Sequence, residues 1–206
     1  MPQPMPVNIE PVRVSNGPDI QVVYPQVFGM RDQEMERFIN QSIVDETQQL
    51  IDMQVAEMPT TIVEMDGSFE IKNNQRDILS LTLTNYAYHY QAAHGMTYIK
   101  ALTFDLKKRT RCSLSDLFKP GSNYVDRLSE LINEQIRDRN IDTFEDTVNI
   151  QPEQDFYIAD KTLVIYFQLY EITPYVFGFP MFPISVYAIQ DIIDEDGPLG
   201  RMAVNN

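Results

Sequence analysis

Residues 155–187 constrain the fold of this chain more than any other stretch. They include a segment in which every second side chain is apolar, and a period of two is typical of a strand with one buried face. The residues predicted to be buried are Leu163, Ile165, Phe167 and Leu169. Asp160-Lys161 marks a turn back to a preceding strand, and an aromatic loop interrupted by prolines leads to a last short strand. The segment therefore predicts antiparallel sheet, and it contains no catalytic group.

Two other segments have the helical period. Residues 31–57 carry an apolar stripe that ends before Pro59, because the residue before a proline disfavours the helical conformation. A second helix is expected from Ser122, as its N-cap, to about Arg139, and a short third helix over 141–148. The stripe of the first helix consists of Met35, Ile39, Ile43, Ile51 and Val55.

Strands fill the space between the two long helices. Thr60–Met65 and Ser68–Asn73 flank Asp66-Gly67, which predicts a hairpin because glycine accepts positive φ. Ile78–Tyr90 and Tyr98–Leu106 alternate clearly and predict an antiparallel meander. The order of elements predicts the α+β class, with two small domains in which an antiparallel sheet packs against a long helix.

The domain organisation follows from the same pattern. Residues 1–18 are rich in proline and are predicted to form a flexible N-terminal arm. An N-terminal α+β domain is expected over 19–110, a C-terminal α+β domain over 111–193, and a tail over 194–206. The chain has 206 residues, which is enough for two small cores without a disulfide or a metal.

Composition narrows the classes of partner. The net charge is −14, which argues against a nucleic-acid partner. An acidic surface either favours cationic partners or serves solubility alone. Cys112 is the single cysteine, so no intramolecular disulfide forms. No run of about 20 apolar residues predicts a membrane span, and the first residues do not resemble a signal peptide. The localisation is therefore left open by the residues alone.

The residues offer little for catalysis. A hydrolytic triad needs a histidine beside a nucleophile and an acid, and only His89 and His94 exist. His94 with Ser113 or Ser115 stays as an alternative, although the nucleophile-elbow motif is missing. No metal site and no cofactor are predicted, because the two histidines fall on opposite faces of a strand. Asp105 and Glu171 are the acids considered for glycoside cleavage, in which two carboxylates flank the scissile bond.

Aromatic residues are the best candidates for a binding surface. Tyrosine has an apolar ring and a polar tip, which suits protein interfaces and stacking on sugars. Three prolines between residues 174 and 183 would stiffen the loop and lower the entropic cost of binding. The alternative is that most of these rings fill the core. The candidate binding residues are Tyr170, Tyr175, Phe177, Phe179, Phe182 and His94.

Three motifs, in this order, resemble a known bacterial family. They are Ala93-His-Gly-Met-Thr97 with Leu102-Thr-Phe-Asp-Leu106, then Leu114-Ser-Asp-Leu-Phe118, and then the block around Tyr170-Glu-Ile-Thr-Pro-Tyr175. The chain is similar to the paired domains of unknown function found in RsiV-type anti-sigma factors, which are lysozyme receptors. It also resembles the non-catalytic N-terminal region of PdaC-type peptidoglycan deacetylases.

The resemblance implies a fold and a function. It implies two small α+β domains that divide near residue 110, an extracytoplasmic location, and a binding or sensory module without chemistry of its own. The expected partner is a protein, with a cationic lysozyme-like enzyme as the sharpest version, or a cell-wall glycan. Two alternatives stay open: a cryptic hydrolase or metal-dependent cell-wall enzyme that uses His94 and nearby acids, and an assembly protein that forms a homodimer.

Overall fold

The computed structural model describes residues 6–204, and the chain divides into two compact units at residues 109 and 110. Unit 1 contains two strands, a long helix and three further strands. Their bounds are β1 (Asn8–Ser15), β2 (Ile20–Phe28), α1 (Gln33–Glu57), β3 (Ile62–Gln75), β4 (Ile78–His89) and β5 (Met96–Asp105). A sixth strand of two residues, β6 (Thr110–Arg111), follows at the boundary.

In unit 1 the strands β1 to β5 follow the chain order across the sheet, and one of the pairs is parallel. Strand β2 pairs in parallel with β3 at Ile20–Val22, whereas the pairs β1–β2, β3–β4 and β4–β5 are antiparallel. A parallel pair needs a long crossover connection, and α1 supplies it. Strand β1 falls within the segment predicted as an arm and pairs along its whole length with β2.

Helix α1 agrees with the prediction. The Asp32 side chain accepts a hydrogen bond from the Met35 backbone N at 3.1 Å and caps the first turn. The helix ends at Glu57, two residues before Pro59. Its buried face packs on one face of the sheet, and alternate residues of β4 and β5 complete this core. The core residues include Met35, Ile39, Ile43, Leu50, Leu79, Leu81, Leu83, Leu102 and Phe104.

The predicted hairpin at Asp66-Gly67 is wrong. Residues Ile62–Gln75 form one continuous strand, and the turn comes after it, at Arg76 and Asp77. Gly67 lies opposite Val22 of the parallel strand. A Cβ atom at Gly67 would lie 2.7 Å from Val22 Cγ1, so this glycine permits the close approach of β2 rather than a turn.

Unit 2 has a smaller sheet. It contains α2 (Tyr124–Arg139), β7 (Phe156–Ala159), β8 (Thr162–Tyr166), β9 (Met181–Ser185) and α3 (Pro198–Ala203). The three strands are antiparallel in the order β7-β8-β9. Helix α2 contacts the edge strand β9, because Gln135 Nε2 and Arg139 Nη1 donate to the carbonyl oxygens of Pro183 and Met181. The α+β class is therefore confirmed.

Two local predictions in unit 2 are wrong. The N-cap of α2 is Asn123 and not Ser122. Residues 141–148 form no helix, because the Asn133 side chain pairs with the backbone N and O of Val148 and ties the end of this segment to α2. The short third helix of the chain is α3 instead.

Candidate binding surface

The loop between β8 and β9 carries exposed apolar side chains. Val176 is 92% exposed, Tyr170 47% and Phe177 41%. Side chains of this size are normally buried in a soluble domain, and several together on one loop are characteristic of an interaction site. The loop is therefore the strongest candidate for a binding surface in unit 2.

Local hydrogen bonds fix the conformation of this loop. Residues Tyr175–Phe177 form one turn of 3-10 helix, in which Phe177 N donates to Pro174 O at 2.9 Å and Gly178 N to Tyr175 O at 3.0 Å. Gly178 has a φ of +81°, which a residue with a side chain rarely adopts. The turn presents Val176 and Phe177 outward with little freedom left to lose on binding.

Glu171 anchors the base of the loop. Its carboxylate accepts from Gln168 N at 2.7 Å and from Gln154 Nε2 at 3.2 Å. Gln154 is buried and also donates to the Tyr166 carbonyl oxygen of β8 at 3.2 Å. Glu171, one of the two acids considered for glycoside cleavage, thus holds the loop against the sheet.

The aromatic residues of the loop divide into a surface group and a core group. Tyr170 and Tyr175 lie side by side with ring centroids 5.5 Å apart. Phe182 is completely buried, with its ring edge-on to Phe167 at 5.8 Å and the Arg139 guanidinium 5.4 Å from its centroid. Phe179 is half-buried. We therefore leave Phe182 out of the surface that we propose.

Sequence reasoning missed Phe144. This residue is 55% exposed, and its backbone N donates to Ile172 O at 2.9 Å, which places it beside the loop. It lies in the segment predicted to be a helix, and a helical pattern gives no reason to expect that this phenylalanine is exposed. We call the resulting surface the aromatic patch. Its members are Phe144, Tyr170, Tyr175, Val176 and Phe177.

The segment that carries the aromatic patch is acidic in sequence. From residue 140 to residue 200 the sequence has eleven acidic residues and one basic residue, Lys161. Asp142, Glu145 and Asp146 are exposed on either side of Phe144. Lys161 Nζ donates to the Tyr187 hydroxyl at 2.9 Å. A cationic partner would therefore meet a favourable electrostatic potential at this surface.

The histidines and the aromatic patch belong to different units. Both histidines belong to unit 1, where His94 is exposed in the turn between β4 and β5 and its Nδ1 lies 2.9 Å from Gly95 O. His89 is buried, with Nδ1 3.0 Å from Thr60 O and Nε2 2.9 Å from Gln54 O. The ring of His89 thus contacts two backbone carbonyl groups, one of them in the last turn of α1.

The remaining candidates for chemistry have local partners. Ser113 Oγ donates to Asp116 Oδ2 at 2.8 Å and lies 2.9 Å from Ser115 Oγ. Asp105 is buried, and its Oδ1 accepts from the backbone N atoms of Lys107 and Lys108. Cys112 is a buried thiol. Among residues 6–204, no group of three or more His, Cys, Asp or Glu side chains is arranged to hold a metal ion.

Comparison with protein families identifies one domain in each unit. Residues 15–97 match the family described as deacetylase PdaC, and residues 115–187 match the family described as protein of unknown function DUF3298. The first match lies within unit 1 and the second within unit 2.

Two proteins of Bacillus subtilis (strain 168) are related to this chain. The anti-sigma-V factor RsiV is 27% identical over 192 residues, which cover 84% of this chain and 65% of RsiV. Peptidoglycan-N-acetylmuramic acid deacetylase PdaC is 23% identical over 140 residues, which cover 64% of this chain and 30% of PdaC. The chain thus spans just under two thirds of the first relative and less than a third of the second.

Two crystal structures of DUF3298 family proteins have a similar fold. The protein from Bacteroides fragilis has a TM-score of 0.71 and 14% identity, with 97% of this chain and 98% of that chain covered. The protein from Pseudomonas aeruginosa has a TM-score of 0.67 and 13% identity, with 99% of each chain covered. At these identities the likeness shows the fold, which extends over both units.

Proposed function

We propose that this chain is a non-catalytic module that binds a cationic protein through the aromatic patch. The chain is a homologue of RsiV and PdaC, and it carries a PdaC-like domain followed by a DUF3298 domain. The observation that carries this proposal is the exposure of Val176 and Phe177 on a turn fixed by its own hydrogen bonds. A rigid apolar tip suits insertion into a cleft of a partner.

The charge of unit 2 supports a basic partner. Eleven acidic residues and a single lysine between residues 140 and 200 would accelerate the approach of a cationic protein and repel an anionic one. The relationship to an anti-sigma factor supports a protein rather than a small molecule as the partner. A lysozyme-like enzyme combines a basic surface with an open cleft, so lysozyme is the first protein to test.

The decisive experiment compares lysozyme with acetylated lysozyme, whose lysine charges have been removed. We expect micromolar or tighter binding of lysozyme in biolayer interferometry. Acetylation should weaken binding at least tenfold, and so should raising the salt from 0.05 to 0.5 M, because exposed charges are screened. An affinity that is unchanged by both acetylation and salt would contradict an electrostatic contribution to the interface.

Two variants assign the binding to the aromatic patch. The double variant Val176→Ala/Phe177→Ala removes two exposed side chains and should lower the affinity at least tenfold, or about 1.4 kcal/mol. Tyr90→Ala removes a tyrosine that is 58% exposed in unit 1 and is the matched control. Equal affinities of the two variants for lysozyme would exclude the aromatic patch as the site.

A cell-wall glycan is the second candidate, and the tyrosine pair favours it. Tyr170 and Tyr175 present two neighbouring rings that can stack on the apolar face of a sugar. PdaC acts on peptidoglycan by its name, and this chain matches its family over residues 15–97. Soluble muropeptides should then bind in calorimetry, and Tyr170→Ala/Tyr175→Ala should abolish their binding.

The enzymatic alternative has less support. His89 is held by two backbone carbonyl groups, and Ser113 is hydrogen-bonded to Asp116. Any hydrolysis of cell-wall material should persist unchanged in His94→Ala if it arises from a contaminant. Its loss in that variant alone would revive the hydrolase hypothesis.

A further inference from the structure

A second exposed apolar surface lies in the PdaC-like domain, between α1 and the sheet. It is a groove of about 390 Å³ between the side of α1 and strands β1 to β3. Three of its side chains are unusually exposed: Val14 at 55%, Val44 at 42% and Val55 at 60%. The remaining apolar lining consists of Ile20, Val22, Tyr24, Ile51, Ile62 and Met65.

The groove has the length of a short helix. Val44, Ile51 and Val55 line one wall and follow the side of α1 over eleven positions, or about 16 Å at 1.5 Å per residue. The opposite wall is a twisted sheet that begins with the edge strand β1. An apolar stripe of three turns along one wall is typical of a groove that binds an amphipathic helix.

Exposed acidic residues border the groove, whose own lining side chains are uncharged. Between Arg37 and Lys72 the sequence contains seven acidic residues and no basic residue, and this segment supplies most of α1 and most of β3. Asp45 and Asp52 are exposed next to the lining residues Val44 and Ile51. A second copy of the chain would bring like charges together at this face. The charge therefore favours a basic occupant.

From the shape, lining and charge of this groove, we propose that it binds a basic amphipathic helix of about three turns. The apolar residues of such a helix, at positions i, i+3 or i+4 and i+7, fill the groove, while its lysine or arginine residues meet the carboxylates of α1. The site is independent of the aromatic patch, which belongs to the other unit.

The test uses two synthetic peptides of fourteen residues with the same leucine spacing. One carries lysine at all polar positions and the other carries glutamate. Fluorescence anisotropy with the full chain should give saturable binding of the lysine peptide and at least tenfold weaker binding of the glutamate peptide. No saturation with the lysine peptide at millimolar protein, or equal affinities for both, overturns the proposal.

A matched pair of variants locates the peptide. Val44→Gln/Val55→Gln makes the groove polar without adding charge and should weaken the lysine peptide at least tenfold. Val204→Gln is the control, because Val204 is also 60% exposed but belongs to unit 2. Both proteins should melt within a few degrees of the wild type, since the changed side chains are exposed.

Two further outcomes separate the occupants. A dimer in light scattering that Val44→Gln/Val55→Gln converts to a monomer would overturn the proposal in favour of a second copy. Loss of lysine-peptide binding in Val176→Ala/Phe177→Ala, with the groove variant unaffected, would move the peptide to the aromatic patch. Failure of lysozyme to bind leaves the result with the peptide unchanged, so the two proposals fail separately.

Discussion

The two units expose apolar side chains in opposite ways. In unit 1 the exposed valines line a concave groove whose walls are a helix and a sheet. In unit 2 Val176 and Phe177 stand at the convex tip of a loop. A groove receives an element of its partner, whereas a tip enters a cleft of its partner. One chain thus presents two apolar surfaces of different shape, each on an acidic segment of the sequence.

Buried polar contacts hold both surfaces in place. Gln54 fixes the end of the groove wall α1, because its Nε2 donates to Asn85 O at 2.7 Å and to Met96 O at 3.0 Å. Glu171 and Gln154 do the same for the loop of the aromatic patch. The anchor in unit 1 is buried and that in unit 2 is partly exposed, so the two should differ in strength.

The largest effect is expected for Gly67→Ala. The new Cβ would lie 2.7 Å from Val22 Cγ1 and 3.1 Å from Val22 Cα, so β2 must move away from β3 and the groove must widen. Overpacking of this kind should lower the free energy of unfolding by about 3 kcal/mol, measured by urea denaturation. Gly121→Ala meets no atom within 4 Å and should lose only about 1 kcal/mol, because of its positive φ. Equal losses would contradict the close approach.

Gln54→Ala should come next. It leaves the carbonyl groups of Asn85 and Met96 buried without this donor, which costs about 2 kcal/mol. Gln49→Ala, at an exposed position of the same helix, should stay within about 0.5 kcal/mol of the wild type. Thermal melts of the two variants test whether the groove wall depends on this anchor.

Glu171→Ala should have a smaller effect on stability. Its carboxylate accepts two hydrogen bonds from a partly exposed position, so we expect a loss of about 1 kcal/mol. Lysozyme binding should weaken as well, since the loop loses its anchor. A loss of stability equal to that of Gln54→Ala would erase the distinction between the two anchors.

The smallest effect concerns pH. Burial, together with the hydrogen bond to Glu57 at the end of α1, raises the pKa of Tyr98 above its ordinary value of 10. The folded state therefore holds this proton more tightly than the unfolded state, and its contribution is lost as the pH rises above 10. Because Tyr98 is only half-buried and water screens its contact with Glu57, the wild type should lose at most about 0.5 kcal/mol more than Tyr98→Phe between pH 8 and 10.5. An identical pH dependence would contradict the contact.

Much of the fold could be predicted from periodicity, and the exceptions have physical causes. The apolar stripe of α1 and the alternating residues of β4 are buried against each other in one core. The spacing of apolar residues in the sequence was therefore sufficient to predict both elements. Asp66-Gly67 misled because glycine serves both tight turns and close strand contacts, and only the position of β2 separates the two. Residues 141–148 misled because the Asn133 side chain, a tertiary partner, outweighs local helical pattern.

The candidate surfaces were predictable only in part. The aromatic composition of the loop indicated Tyr170, Tyr175 and Phe177, but periodicity does not separate them from the buried Phe182. Phe144 is distant in sequence and joins the loop through a backbone contact. The groove depends on how α1 and the strands β1 to β3 pack together, and no local sequence pattern predicts that packing. Secondary structure is a local property, whereas a surface depends on tertiary distance.

One binding experiment crosses two variants with two ligands. Val176→Ala/Phe177→Ala should lose at least tenfold in affinity for lysozyme and keep its affinity for the lysine peptide. Val44→Gln/Val55→Gln should show the reverse. A chain in which both ligands are lost with the same variant, or in which neither variant affects lysozyme, would contradict the claim that the aromatic patch is the protein-binding surface.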